Sequence, residues 1–311
     1  METGKKVVVK VLHCALLFSL TLSALCLADS FYTYPNEPLR KRNMLGRPWV
    51  SFLLPGFDQW VEGQTSAATV YSGLALAGIA TVLAVQGDSS QYVTSKDDRA
   101  RTTILGAQIY QTMGSLSTFH AFRSGLVAAR AEGAFPEMAS EETPAELLCS
   151  PFRIDYFIRP TTFLPLLVVG ALVAVDANAG GNNAINFSTA DGFFAGAFSY
   201  QAGLGEEALF RGVLQPTISE YFTERNALAA NFSQALIFAA LHYSSQNRLP
   251  WPQFLLGFYL GWLTQHNNYT LSENIFLHTW WDVVAIGASY ALSQTITRPT
   301  TFFFPLIETR F

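Results

Sequence analysis

The chain is poor in charge, and poorest where it is most apolar. Asp, Glu, Lys and Arg make up 14% of the 311 residues, against about 25% in soluble domains. No lysine follows Lys96, and the 132 residues of 161–292 carry 11 charged side chains. A soluble domain of that size needs more charge to cover its surface. The sequence therefore implies an integral membrane protein. A basic excess is also missing, since the net charge is −4, which argues against a nucleic-acid partner. With half its residues hydrophobic, the chain is not disordered. Cysteine is scarce as well. Cys14 and Cys26 lie in an apolar leader and Cys149 stands alone in a polar stretch. No disulfide framework and no CxxC metal site can be built from them.

The leader, 1–28, has a basic start, an uncharged run and a small-residue exit at Ala28. It is either a cleaved signal peptide or a first membrane helix. The basic cluster Arg40-Lys41-Arg42 favours the cytoplasmic side, which conflicts with an exported chain and leaves topology open. Residues 29–160 form an N-terminal membrane region and a linker. Within it, 51–60 is a short apolar piece broken at Pro55-Gly56, 67–85 is an uncharged spanning helix, and 103–122 is a more polar one. Gln108, Gln111 and His120 of that helix should face protein. Residues 123–160, rich in charge and proline, are expected to separate two membrane regions. Residues 161–292 hold five apolar segments (161–175, 192–205, 226–243, 249–266 and 274–292). Several are shorter than the roughly 20 residues of a straight span, so tilted or protein-surrounded helices are expected. The tail, 293–311, has an apolar patch at Phe302-Phe303-Phe304.

An ionisable residue inside such a segment costs roughly 2.5–3.5 kcal/mol on insertion scales and is a functional candidate. Three groups occur. In Glu206-Glu207-Ala-Leu-Phe-Arg211, Glu207 and Arg211 stand at i and i+4 with the acid first, the favoured ion-pair order. Glu206 then points about 100° away, is left without a cation, and can serve as a general base. The bland reading is an interfacial helix with a solvated charged face. Phe238-Ala-Ala-Leu-His242 puts an aromatic ring and a histidine on one helix face; a lone histidine there is more often a core residue. His278-Thr-Trp-Trp-Asp282 places an acid where it can hold an imidazole, or where the two satisfy each other. Together the groups bring polar side chains to a common depth with no polar ladder across the membrane. That pattern suits a reaction centre better than a conduction path.

The order Glu-Glu-x-x-x-Arg, Phe-x-x-x-His, His-x-x-x-Asn/Asp resembles the CPBP intramembrane glutamic endopeptidases, the group of type II CAAX prenyl proteases and bacteriocin-processing or immunity proteins. The resemblance covers 161–292. It implies an all-α, polytopic membrane helical bundle with an intramembrane active-site cavity. It implies that Glu206, with His242, activates a water for attack on a peptide carbonyl. It also implies that His278 and Asp282 hold the oxyanion, with Glu207, Arg211 and Phe238 supporting the site. The pattern accepts Asn or Asp at its last position; an ionised Asp282 cannot donate a hydrogen bond. No cofactor and no metal are implied. A zinc protease is the rival enzyme, although the chain lacks His-Glu-x-x-His. A non-catalytic adaptor or immunity factor that keeps the fold is the rival from another class, and a proton-coupled carrier is a third. The expected partners are membrane lipid and a peptide or protein substrate near the membrane, and the expected location is a bacterial cell (inner) membrane.

Overall fold

A computed structural model describes residues 44–87, 96–138, 142–179, 187–243 and 248–291. The leader, the basic cluster at 40–42 and the tail lie outside the described residues. Every regular element among those described is a helix, in line with the all-α expectation.

The N-terminal half begins with two short helices, α1 (Arg47–Leu53) and α2 (Phe57–Val61). They are followed by α3 (Thr65–Val85) and the 34-residue α4 (Asp98–Ala131), which Asp97 caps by accepting from the N–H groups of Arg99 and Ala100. The break between α1 and α2 is made by Gly56, whose φ is +94° and whose missing Cβ would meet Ser72 Oγ at 2.5 Å and the Ala68 carbonyl at 2.6 Å. Only glycine fits both the left-handed backbone and that approach to α3. The turn then locks onto α4. The Gly56 N–H donates to Ser117 Oγ (2.8 Å), Ser117 Oγ donates to Gln59 Oε1 (2.7 Å), and Gln59 Nε2 donates to the Ser117 carbonyl (3.1 Å). Gln108 and His120 are buried. His120 Nδ1 lies 3.2 Å from the Tyr71 hydroxyl of α3.

The stretch 123–160, expected to separate two membrane regions, carries helical structure of its own among its described residues. Its start is the last turns of α4. Its end is α5 (Pro144–Cys149) and two 3-10 turns, Ser150–Phe152 and Ile154–Ile158. Some of its charges serve as caps and ion pairs. Glu146 closes a capping box with Thr143, and Arg159 pairs with Glu273 at 2.6 Å.

The second half holds α6 (Pro160–Ala179), α7 (Thr189–Glu206), a π-helical stretch (Glu207–Leu214), α8 (Gln215–Phe222), α9 (Ala227–Leu241), α10 (Trp251–His266) and α11 (Ser272–Ala291). Asn226 caps α9. Ser188 and Asp191 form the capping box that starts α7. Asp191 also takes a buried ion pair from Arg101 of α4, which ties the two halves together. Among the described residues Thr65–Val85 is the helix long and apolar enough to cross a membrane, with Pro160–Val175 and Ala227–Leu241 as shorter apolar stretches. Leu76 and Leu83 of α3 and Leu164, Leu167, Val168 and Leu172 of α6 face outward, a surface suited to lipid.

Candidate active site

The site is assembled by four elements: the α7–α8 rod, the end of α9, one face of α10 and the middle of α11. The rod runs unbroken from Thr189 to Phe222 but widens to π geometry at Glu207–Leu214. A regular α-helix was expected here. π-turns inside α-helices recur at functional sites because they re-aim side chains at the cost of poorer hydrogen bonding. This one begins between the two glutamates. The rod approaches α11 closely, because a Cβ on Gly203 would lie 2.9 Å from the Thr279 backbone nitrogen.

The structure brings all seven residues singled out in the sequence together, and each is buried. Glu207 is the hub. Its Oε1 accepts from Arg211 Nη1 at 2.7 Å, and His278 Nδ1 lies 2.7 Å from the same oxygen. An oxygen that already accepts from a guanidinium faces a ring N–H, so Nδ1 of His278 carries a proton. Asp282, expected to hold His278, stands farther off: its nearest oxygen is 3.6 Å from His278 Nε2, in ion-pair range but beyond a direct hydrogen bond. Arg211 donates again, from Nη2 to the Gly257 carbonyl of α10 (3.1 Å). Its guanidinium also lies 4.5 Å from the centroid of the Phe238 ring, which gives Phe238 its supporting place.

His242 caps the end of α9. Its Nδ1 is 2.5 Å from the Phe238 carbonyl. A carbonyl only accepts, so this nitrogen also carries a proton. Both histidines are thus held at Nδ1 and present Nε2 to Glu206. Glu206 Oε2 is 3.9 Å from Nε2 of His242 and 3.8 Å from Nε2 of His278. Those distances exceed a direct hydrogen bond and suit one bridged by water.

Six acids are buried among the described residues: Asp58, Asp191, Glu206, Glu207, Glu273 and Asp282. Asp58, Asp191, Glu207 and Glu273 are hydrogen-bonded or ion-paired within hydrogen-bond reach. Glu206 and Asp282 have no hydrogen bond at any of their four oxygens. A buried polar group left this way in a folded protein calls for an explanation, and catalysis is one of the few available.

The sequence did not reveal the amides around the hub. Asn274 Nδ2 reaches the Leu260 carbonyl (2.6 Å), Thr264 Oγ1 (3.0 Å) and, more distantly, Glu207 Oε2 (3.4 Å). Gln234 Nε2 donates to the same Gly257 carbonyl that Arg211 uses (2.9 Å). Asn274 stands four residues before His278, so the run Asn274, His278, Asp282 at i, i+4 and i+8 was the available signal. Among the described residues no group of three or more His, Cys, Asp or Glu is arranged to hold a metal ion. His120 stays in the α3–α4 contact and His266 stacks on Trp262; neither belongs to the site.

No curated protein and no solved structure matches the chain. Residues 190–284, from the first turn of α7 to just beyond Asp282, match the family described as type II CAAX prenyl endopeptidase Rce1-like. That segment carries all seven residues of the site.

Proposed function

We propose that the protein is an intramembrane endopeptidase in which Glu206 activates the attacking water. The observation that carries this is the Glu206 carboxylate, buried without a hydrogen-bond partner, with two imidazole Nε2 atoms within 4 Å of one of its oxygens. A water bridged between that carboxylate and His242 gives up its proton to Glu206 as it attacks the peptide carbonyl. Glu206 then delivers the proton to the leaving amine. The developing oxyanion is met by His278, which as an imidazolium is held by Glu207 at Nδ1 and donates from Nε2. A single such donor is worth about 2.7–4 kcal/mol in the transition state. Asp282 stands beside the same Nε2. When ionised it anchors the imidazolium; when protonated it donates to the oxyanion itself. Glu207 and Arg211 hold His278 and the π turn in register. No step uses a metal, and the substrate is a protein segment near the membrane, of the CAAX type or a bacteriocin-type precursor.

Comparing membrane proteomes of cells carrying the native chain or Glu206→Ala tests this reading. Substrates should appear as proteins whose C-termini are trimmed only with the native chain. Identical C-termini in both would favour a non-catalytic adaptor that keeps the fold.

A further inference from the structure

The turn between α5 and α6 has an outer face that nothing else in the described molecule covers. Ile154 is 76% exposed, Ile158 85% and Phe152 57%. These are large apolar side chains, and their outward direction is fixed from behind. Tyr156 is buried, with the guanidiniums of Arg153 and Arg159 at 4.8 and 4.4 Å from its ring centroid. Arg153 is ion-paired with Asp155 and Arg159 with Glu273. Part of the turn's backbone is bonded internally: Arg153 N donates to the Ser150 carbonyl (3.1 Å), Tyr156 N to Arg153 (3.0 Å) and Arg159 N to Tyr156 (3.1 Å). A segment bonded in this way strands few peptide groups at the headgroup level, where water still reaches the rest.

What covers the face follows from continuity. Pro160, directly after Arg159, starts α6, whose residues Phe163, Leu164, Leu167, Val168 and Leu172 are outward-facing and apolar. The turn thus sits one step outside an apolar, outward-facing helix, a place suited to the boundary between acyl chains and headgroups. Exposed isoleucine and phenylalanine flanked by half-exposed arginines fit that boundary, the alkyl parts in the acyl edge and the guanidiniums among phosphates. We propose that residues 150–159 form an interfacial anchor seated in the headgroup–acyl boundary of the bilayer.

The anchor is joined to the helix that carries His278. Trp280 Nε1 donates to the Pro151 carbonyl (3.0 Å), and Phe157 packs edge-on against Phe276 and tilted against Trp280, with centroids 4.8 and 5.6 Å apart. Phe276 and Trp280 lie two residues before His278 and Asp282, about 200° around the helix. The anchor therefore grips α11 from behind and sets the depth of its polar face.

The test uses the full chain with Cys14, Cys26 and Cys149 replaced by serine, a nitroxide placed on Ile158→Cys or on Ile154→Cys, and nanodiscs of phosphatidylcholine with phosphatidylglycerol. Both positions are surface sites, so whichever variant purifies as a homogeneous species suffices. Collision with oxygen and with a water-soluble nickel chelate reports depth, with a label on Leu76→Cys in α3 as the deep reference. The expected ratio of oxygen to nickel access is several-fold above that of free label in water and below that at Leu76. A water-like ratio at both positions would overturn the proposal. So would a label shielded from both quenchers, which would mean that a second copy or a protein partner covers the face. Neither readout depends on protease activity, so the proposal and the catalytic reading stand or fall separately.

Discussion

The α1–α2 turn and the candidate catalytic cluster both bury polar side chains between helices, but only one of them closes its hydrogen bonds. In the turn, Gly56, Gln59 and Ser117 form a ring of three bonds of 2.7–3.1 Å. Around Glu206, two carboxylates face two imidazoles at 3.6–3.9 Å with no hydrogen bond to either acid. The closed ring is what a protein builds for stability, where each buried group recovers what it lost on leaving water. The open cluster has left its strongest acceptors aimed at one point. Between them lies the Glu207 hub, which is closed on one side, toward Arg211 and Asn274, and carries His278 into the open side.

Substitutions should therefore divide by which side of the hub they touch. The largest effect on the fold is expected at Arg211. Removing it leaves Glu207 buried without its cation, and breaking one partner of a buried pair costs about 3–5 kcal/mol. Arg211→Ala should lower expression and thermal stability together. A fully stable, inactive Arg211→Ala protein would move the arginine from support into the chemistry. On the open side, Asp282→Leu removes both anchor and donor and should lower turnover by about 10²–10³-fold with little change in melting temperature, as loss of an oxyanion donor does. Asp282→Asn keeps shape and donors and should retain about a tenth or more of normal turnover, since an amide can donate where a carboxylate cannot. A folded but inactive Asn variant would show that the charge of Asp282 is what matters. In the closed ring, Gln59→Ala leaves Ser117 unsatisfied and should cost about 1–3 kcal/mol of stability. Turnover per folded molecule should not change; a selective loss of activity would connect the turn to the site. The smallest expected effect is that of chelation. Exhaustive treatment with EDTA and phenanthroline should leave the rate unchanged, and loss restored by zinc would favour the rival mechanism.

The sequence displayed the open cluster more clearly than the closed one. Glu206, His242, His278 and Asp282 each interrupt or end an apolar stretch of sequence, and such an interruption is expensive enough to stand out. The Glu207–Arg211 pair was legible for the same reason, with its i, i+4 spacing. What the sequence hid depends on contacts between distant segments. The partner of His278 was hidden because Asp282 is its neighbour in sequence while Glu207, 71 residues away, is its neighbour in space. Asn274 serves the Leu260 carbonyl and the Thr264 hydroxyl of α10, which no pattern announces. The π turn at Glu207–Leu214 follows from packing rather than from composition. Within 123–160, the cap at Glu146 and the ion pair of Arg159 look like solvated charge until their partners are known.

The most direct test of the account compares Glu206→Gln with the native chain, both full-length and in nanodiscs, measuring melting temperature and cleavage together. The substrate is a farnesylated CAAX peptide, or a peptide from a protein whose C-terminus differs in the proteome comparison. Because Glu206 makes no hydrogen bond in the fold, the amide should leave the melting temperature unchanged or slightly higher. Turnover should fall by about 10²–10⁴-fold, the usual loss on removing a general base. A Gln variant that cleaves at the native rate would contradict the assignment of Glu206, and one that unfolds would place Glu206 in the closed network with Glu207.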